Sequence, residues 1–401
     1  HFPYEEREAG RPMRKRPAYE RQKELDAVFG LNYGWEHPLW FAPKGMEAVE
    51  TYGFTRQNWF EPVRAECKAL RSGVGVIDVS NFGKYEIKGA GSRDWLDKIV
   101  ANRVPTEIGR SCLTPLIGVK GGIAGDFTIT MLGENQYFMV GSGMAERYHQ
   151  RYFNAVARPD TVAFNSRTEA MAGFNVAGPK SRELLSRLTQ ADLSNEAWKF
   201  MRSGQVTVAG IDAVAIRVSF TGDLGWEIYV PEEHQLKLYD ALLAAGGDLG
   251  VRPVGGRALL SLRVEKGYGS WGREYSPEYW PQEVGLDRLI KMDKPDFLGK
   301  AAYAALADKP ARERLVMIEV YAKEADAVGG EPIFAPNGTP VGRVSSGAYG
   351  FTVEKSLALG FVKTAYAAAG TVLDVAVLGK PHKGVVLGEA AFDPKGERLR
   401  A

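Results

Sequence analysis

The strongest constraint on this chain is a change of pattern near residue 310. Beyond it come short apolar runs such as Leu315-Val316-Met317-Ile318, regular glycine punctuation and no long helix, so residues 311–401 are predicted to form an all-β module. The boundary is Leu306-Ala307-Asp308-Lys309-Pro310, where a small-residue helical run ends in charge and a proline. At 401 residues, two or three domains are expected. Hydrophobic residues make up 45% and charged residues 25%, enough apolar content to build a core and too much for disorder. A net charge of +2 gives no general case for nucleic acid or a membrane surface as partner. No stretch approaches the ~18–20 apolar residues of a membrane span.

Upstream of residue 310 the pattern is mixed α and β. Phe60, Val63, Cys67 and Leu70 recur at helical spacing, which predicts a helix over 57–71. Strands are predicted at 74–79, 84–88, 112–117, 127–132 and 137–140, and helices at 92–101, 144–157, 179–187, 232–245 and 256–266. A hairpin is predicted from 205–209 and 213–220 around a Gly210-Ile211-Asp212 turn, followed by a strand at 226–230. The first 45 residues run from charge into the aromatic cluster Phe29, Tyr33, Trp35, Trp40 and Phe41, which suits a segment docked on a folded body. The chain begins with His1 rather than Met, which leads us to expect a further segment upstream.

Two cysteines, Cys67 and Cys112, cannot form a disulfide scaffold, so a reducing compartment is expected. Five scattered histidines show no metal-ligand spacing, and no metal is expected. Two glycine runs imitate nucleotide-binding loops. Gly89-Ala90-Gly91-Ser92-Arg93-Asp94 has aspartate where the dinucleotide fingerprint needs its third glycine. Gly173–Gly178 runs into Pro179, which removes an N–H that a phosphate loop would use.

Gly121-Gly122-Ile123-Ala124-Gly125-Asp126 places a carboxylate at the start of an apolar strand, where sites are often built. A turn aspartate bonding its own backbone is the plainer alternative. In Trp226-Glu227-Ile228-Tyr229-Val230, alternation sets Glu227 and Tyr229 opposite the apolar residues, on a face expected to meet solvent. Arg263 and Glu265 read as surface charges of the 256–266 helix.

Taken in order, Gly121-Gly122-Ile123 with Asp126, Ala177-Gly178-Pro179-Lys180, Thr221-Gly222-Asp223-Leu224-Gly225-Trp226-Glu227, and Arg257 followed by Arg263-Val264-Glu265-Lys266-Gly267 resemble the aminomethyltransferase family. Gly342–Gly347 and Ser356–Val362 resemble its terminal β-barrel. The leader, with Gly34-Trp35-Glu36 and Trp40-Phe41-Ala42-Pro43, resembles the connector to a flavin domain in the dimethylglycine and sarcosine dehydrogenase branch.

This resemblance implies an α+β fold, a three-domain cloverleaf with a C-terminal β-barrel. Residues 1–45 would be the connector, 46–310 a folate-binding core of two subdomains, and 311–401 the barrel. Asp126 matches the family's catalytic aspartate, and Glu227 the carboxylate that holds the pterin. Thr128 and Arg257 match folate-site positions, and Arg257 could meet the folate glutamate tail or its carbonyl. Phe220 and Leu113 fall where relatives carry tyrosine. The implied activity is tetrahydrofolate-dependent capture, as 5,10-methylenetetrahydrofolate, of the methylene unit released from a small N-methyl amine. FAD is expected on an upstream domain or partner subunit. Two alternatives stay open: direct demethylation to 5-methyltetrahydrofolate, and a non-catalytic folate-binding module. A cytoplasmic or mitochondrial-matrix setting is expected.

Overall fold

Strand and helix alternate through the first three quarters of the chain, and strands alone build nearly all of the last. The structure is a computed structural model that describes residues 2–401; His1 lies outside the described residues. The leader forms helix α1 (Tyr19–Glu24) and an antiparallel hairpin, β1 (Ala27–Asn32) and β2 (Trp35–Phe41). The core follows as α2 (Phe60–Ser72), β3 (Val74–Asp78), β4 (Gly83–Lys88), α3 (Ser92–Asp97), β5 (Ser111–Ile117), β6 (Ile123–Gly133), β7 (Gln136–Gly141), α4 (Glu146–Ala155) and β8 (Ala163–Ser166). It continues through β9 (Met171–Ala177), α5 (Ser181–Ser186), β10 (Ser203–Val208), β11 (Ile211–Ile216), β12 (Gly225–Pro231), α6 (Gln235–Ala245), β13 (Val251–Val254), α7 (Gly256–Glu265) and α8 (Lys300–Ala307). The last part holds β14 (Glu313–Val320), β15 (Pro332–Phe334), β16 (Pro340–Gly350), β17 (Lys355–Lys363), β18 (Val372–Val377), β19 (Lys380–Leu387) and α9 (Glu397–Arg400).

The core contains two sheets. One has five strands in the order β5-β6-β7-β4-β8; the other has six in the order β10-β11-β12-β9-β3-β13. The outer face of the first packs on α3 and α4 through Trp95, Leu96, Phe127, Ile129 and Phe153. The outer face of the second packs on α5 and α6 through Leu184, Trp226, Ile228, Leu238 and Leu242. Their inner faces meet in a central cluster that includes Phe138, Val140, Ile216 and Tyr229, and α2, α7 and the leader's Trp40 join it. Near one edge, Ser111 on β5 bonds both Thr130 Oγ1 at 2.7 Å and Ser203 Oγ on β10 at 3.1 Å.

Residues 313–387 close into a six-stranded barrel, β14-β17-β16-β15-β18-β19, as the glycine-punctuated tail predicts. The aromatic leader docks as expected. Trp40 is fully buried, and Glu66 on α2 accepts N–H groups from Phe41 and Gly255, tying the hairpin to the start of α7.

Two expectations are corrected. The 205–220 hairpin turns at Ala209-Gly210, both in the left-handed region (φ 52° and 70°), so β11 starts at Ile211 and ends at Ile216. Backbone bonding runs on past the strand, the Arg217 N–H donating to the Arg202 carbonyl at 2.8 Å, while the Arg217 side chain donates to oxygens of Asn195, Trp198 and Ala401. Arg263 and Glu265 are not surface charges; both are buried. Arg263 bonds Glu274 at 3.0 Å and Ser346, and Glu265 pairs with Arg71 at 2.9 Å, because α7 is enclosed between α2 and the barrel.

Candidate functional site

Two glycines bring Asp126 into place. A Cβ on Gly122 would run into the Pro277 carbonyl, and one on Gly121 would press on Leu306 of α8. Their bare backbone lets segment 275–280 close on the start of β6, where the Ile123 N–H donates to the Tyr279 carbonyl at 3.1 Å. Tyr275 thereby comes within electrostatic reach of Asp126. Asp126 lies inside β6 rather than in the turn before it, since the strand already begins at Ile123. The turn reading is overturned, although the residue's own backbone N–H still approaches the carboxylate.

The alternation of β6 sends Phe127 and Ile129 outward to the helices and leaves Asp126 and Thr128 on the inner face. Residues paired across strands share a face. Leu113, Thr128, Val140 and Lys84 therefore form one row across β5, β6, β7 and β4, with Asp126 one row beyond, opposite Pro115. Leu113 is exposed at one end of the row and Lys84 fully buried at the other.

Glu227 lies on the inner face of the second sheet, level with Asn175 and Ile216. Two residues on, the Tyr229 ring packs against Phe138 of β7 with centroids 5.5 Å apart, so the Asp126 and Glu227 faces look toward each other. The predicted solvent face of Glu227 is corrected. β12 is covered on both sides, and Glu227 is only 7% exposed. Phe220, in the loop before β12, stacks on Tyr268 at 5.8 Å with ring planes 20° apart.

Both carboxyls hold protons more tightly than usual. Asp126 Oδ1 is buried and accepts no hydrogen bond, and burial pushes this carboxyl up to about 6. Burial pushes Glu227 up to about 7, against the Tyr229 hydroxyl, which donates to Oε2 at 2.7 Å, and the Lys84 ammonium. Sequence reasoning missed Lys84, Tyr229 and Tyr275. Lys84, Glu86 and Lys88 alternate like a solvent face, which hides the burial of the first.

Arg257 does not join this group. It pairs with Glu50, and its guanidinium lies 4.7 Å from the ring centroids of both Tyr4 and Trp59. It lines a cleft of about 810 Å³, mouth included, with Tyr4, Glu50, Trp59 and Tyr349; Asp126, Thr128, Leu113, Phe220 and Glu227 do not border that cleft. In this structure the Arg257 guanidinium meets the Glu50 carboxylate of the chain itself.

The glycine runs serve packing. A Cβ on Gly89 would strike the Thr161 carbonyl, and one on Gly178 the carbonyls of Leu70 and Gly73. Chain already fills the space a pyrophosphate would need, so these segments do not fit a flavin or nicotinamide dinucleotide. Among the described residues, no group of three or more His, Cys, Asp or Glu is arranged to hold a metal. No helix among them is long and apolar enough to cross a membrane.

Comparison with known proteins agrees with this architecture. Residues 18–294 match the GCVT N-terminal domain, and residues 313–393 the glycine cleavage T-protein C-terminal barrel domain. The chain is 34% identical over 404 residues to the mitochondrial dimethylglycine dehydrogenase of Homo sapiens, covering 100% of this chain and 46% of that protein. It is 35% identical over 401 residues to the 4-methylaminobutanoate oxidase (formaldehyde-forming) of Paenarthrobacter nicotinovorans, covering 100% and 48%. An aminomethyltransferase of Desulfitobacterium hafniense (strain DSM 10664 / DCB-2) is 27% identical over 385 residues, covering 96% of this chain and 99% of that one. The chain thus spans about half the length of the two oxidising relatives and nearly all of the transferase. The crystal structure of glycine cleavage system aminomethyltransferase T from Bartonella henselae has the same fold, with a TM-score of 0.83 at 22% identity over 95% of this chain and 99% of that one. With its N-terminal domain and its barrel both matched, the chain belongs to the aminomethyltransferase (glycine cleavage T-protein) family.

Proposed function

We propose that this chain transfers a one-carbon unit to tetrahydrofolate, capturing as 5,10-methylenetetrahydrofolate the carbon released when a small N-methyl amine is oxidised. The observation that carries this reading is the pair of inner faces, one presenting Asp126 with an unpartnered buried oxygen and the other presenting Glu227. When bound, the folate would supply the nitrogen that accepts the carbon. Glu227, ionised, can accept two adjacent N–H donors of a pterin edge, and such charge-assisted pairs are the strong ones. Asp126 Oδ1 can accept the proton released at the folate nitrogen, a role worth ~10²–10⁴-fold in rate. Thr128 and Leu113 border Asp126 on the same face, and the Phe220–Tyr268 pair offers an aromatic surface beside the second sheet. Excluding water and holding both reactants in one place add to rate through proximity.

Two relatives are named for oxidation of N-methyl compounds, dimethylglycine and 4-methylaminobutanoate, and each is about twice as long as this chain. A flavin-bearing domain or subunit would supply the oxidation, and the leader would join or dock it. The test is Asp126→Ala with tetrahydrofolate and formaldehyde, following 5,10-methylenetetrahydrofolate. Unchanged formation would reject the role of Asp126, and 5-methyltetrahydrofolate from a methylated substrate without an oxidant would reject the reaction type. Equal affinity of Glu227→Ala for tetrahydrofolate in calorimetry would reject the pterin contact.

A further inference from the structure

The strand beside Glu227 carries a buried amide that the chemistry above does not use. Asn175 on β9 is buried and pairs directly across from Glu227 on β12. Its neighbours Phe174 and Val176 belong to the outer core, so Asn175 shares the inner face with Glu227. Asparagine is disfavoured inside strands, and an apolar residue would fill a covered position more cheaply. Its hydrogen bonds show what it holds. The β11–β12 ladder ends at the pair Ile216–Glu227, and beyond it the chain leaves the sheet as the loop 217–224. Asn175 Nδ2 bridges that opening, donating to the Val218 carbonyl on the loop at 3.3 Å and to the Trp226 carbonyl on β12 at 3.2 Å. Two carbonyls fix the amide nitrogen there, so Oδ1 faces Ser219 Oγ at 3.2 Å. An amide oxygen only accepts. The Ser219 hydroxyl therefore gives its proton to Asn175 and accepts from Thr221 Oγ1, 2.7 Å away. Thr221 Oγ1 in turn accepts the Asp223 N–H at 3.2 Å, and the Thr221 carbonyl accepts from Arg71 Nη1 at 2.8 Å. Asn175, Ser219, Thr221 and Asp223 are all buried. Phe220 sits between the two hydroxyls, and its half-buried ring stacks on Tyr268. At the loop's tip, Gly222 (φ 80°) lies so close to Lys266 that a Cβ would strike its stem, which sets the loop against the segment carrying Tyr268.

We propose that Asn175 is a positioning residue: it clasps the loop 217–224 to β12 and so sets the Phe220–Tyr268 ring pair in place relative to Glu227, for a flat ligand ring that is held by its N–H edge and stacked on its face. The inference rests on the reading of Glu227 as the pterin contact. Such a ring meets an in-plane acceptor and a stacking surface at once, so a displaced loop costs affinity even when both groups are present. A loop already held spares the ligand the cost of ordering it. The loop has no ladder partner on β12, and side chains take over the satisfaction of its backbone. Asn175 holds it at the start, while Arg71, bonded to the Thr221 carbonyl and to Asp223 at 2.7 Å, holds it at the end. Without the amide, the Val218 and Trp226 carbonyls lose this donor and Ser219 loses its acceptor, in a place where water is excluded.

The experiment measures the affinity of the full 401-residue chain for 5-formyltetrahydrofolate by calorimetry, in the wild-type and Phe220→Ala backgrounds. Asn175→Leu removes the clasp at similar side-chain size, and affinity should fall about tenfold. In the Phe220→Ala background the same change should cost less than about twofold, because the ring that the clasp places is gone. A purely structural role acts alike with or without the ring. Equal losses in the two backgrounds, or wild-type affinity for Asn175→Leu, therefore overturn the proposal. If Asn175→Leu fails to fold, Ser219→Ala, which breaks the next link, decides by the same criterion. Its expected loss is about threefold with the ring present and none without it. Wild-type affinity in both Phe220→Ala and Glu227→Ala would reject the folate reading of this face, and the inference with it. Weakened binding in those two beside unchanged binding in Asn175→Leu rejects the inference alone.

Discussion

Asp126 and Glu227 owe their chemistry to being placed where carboxylates are unfavourable. Burial raises Asp126 from the ordinary 3.8 to about 6 in the folded chain, so the native state binds its proton more tightly than the unfolded chain does. Stability from this group is therefore fully present below the unfolded value and lost as pH rises through about 6. Asp126→Asn should stabilise the protein at pH ~8 by about 1–3 kcal/mol in urea denaturation while lowering one-carbon transfer by ~10²–10⁴-fold. If Asp126 is the base, the rate of the wild-type chain should fall as pH drops through about 6, and stopped-flow pH profiles would show that limb. Asp126 and Glu227 were both legible in the sequence as motif positions. Lys84 was not, because one lysine in an alternating strand looks the same whether its face meets water or a second sheet.

At the scale of elements, the same limit explains what was read well and what was not. Helix α2, strands β3 to β7 and the barrel carry a clear period or punctuation, and each forms within a few residues of its expected bounds. The face of β12 was misread because both of its sides are covered, and alternation cannot report a second covering layer. Gly121 and Gly122 are the joint that sets Asp126 against segment 275–280. Gly122→Ala should push Pro277 and Tyr275 away from β6, costing about 1–3 kcal/mol. Folate affinity should fall along with the melting temperature. A variant melting as the wild type does, with unchanged affinity, would show that the close approach is dispensable.

Across the whole molecule, a buried ion network holds the units in register. Arg71 on α2 bonds Asp223 at 2.7 Å, Glu265 on α7 at 2.9 Å and Thr352 of the barrel at 3.1 Å, while Arg398 near the C-terminus takes the other oxygen of Asp223 at 2.7 Å. Arg71→Met leaves the buried Glu265 without its cation and Asp223 with Arg398 alone, and should cost about 3–5 kcal/mol. Urea unfolding should then split into a barrel step and a core step, in place of one transition. Sequence alone determined the change from mixed α and β to an all-β tail, the positions of most helices and strands, and the ordered motifs that mark the family, because period, glycine punctuation and spacing are properties of neighbours along the chain. Only the tertiary structure decided that Arg257 belongs to Glu50, 207 residues away, that Arg263 and Glu265 are core charges, and that Lys84 is buried on the carbonyls of Ser80 and Phe82. Burial and charge pairing depend on which distant surfaces meet, and no local pattern records that.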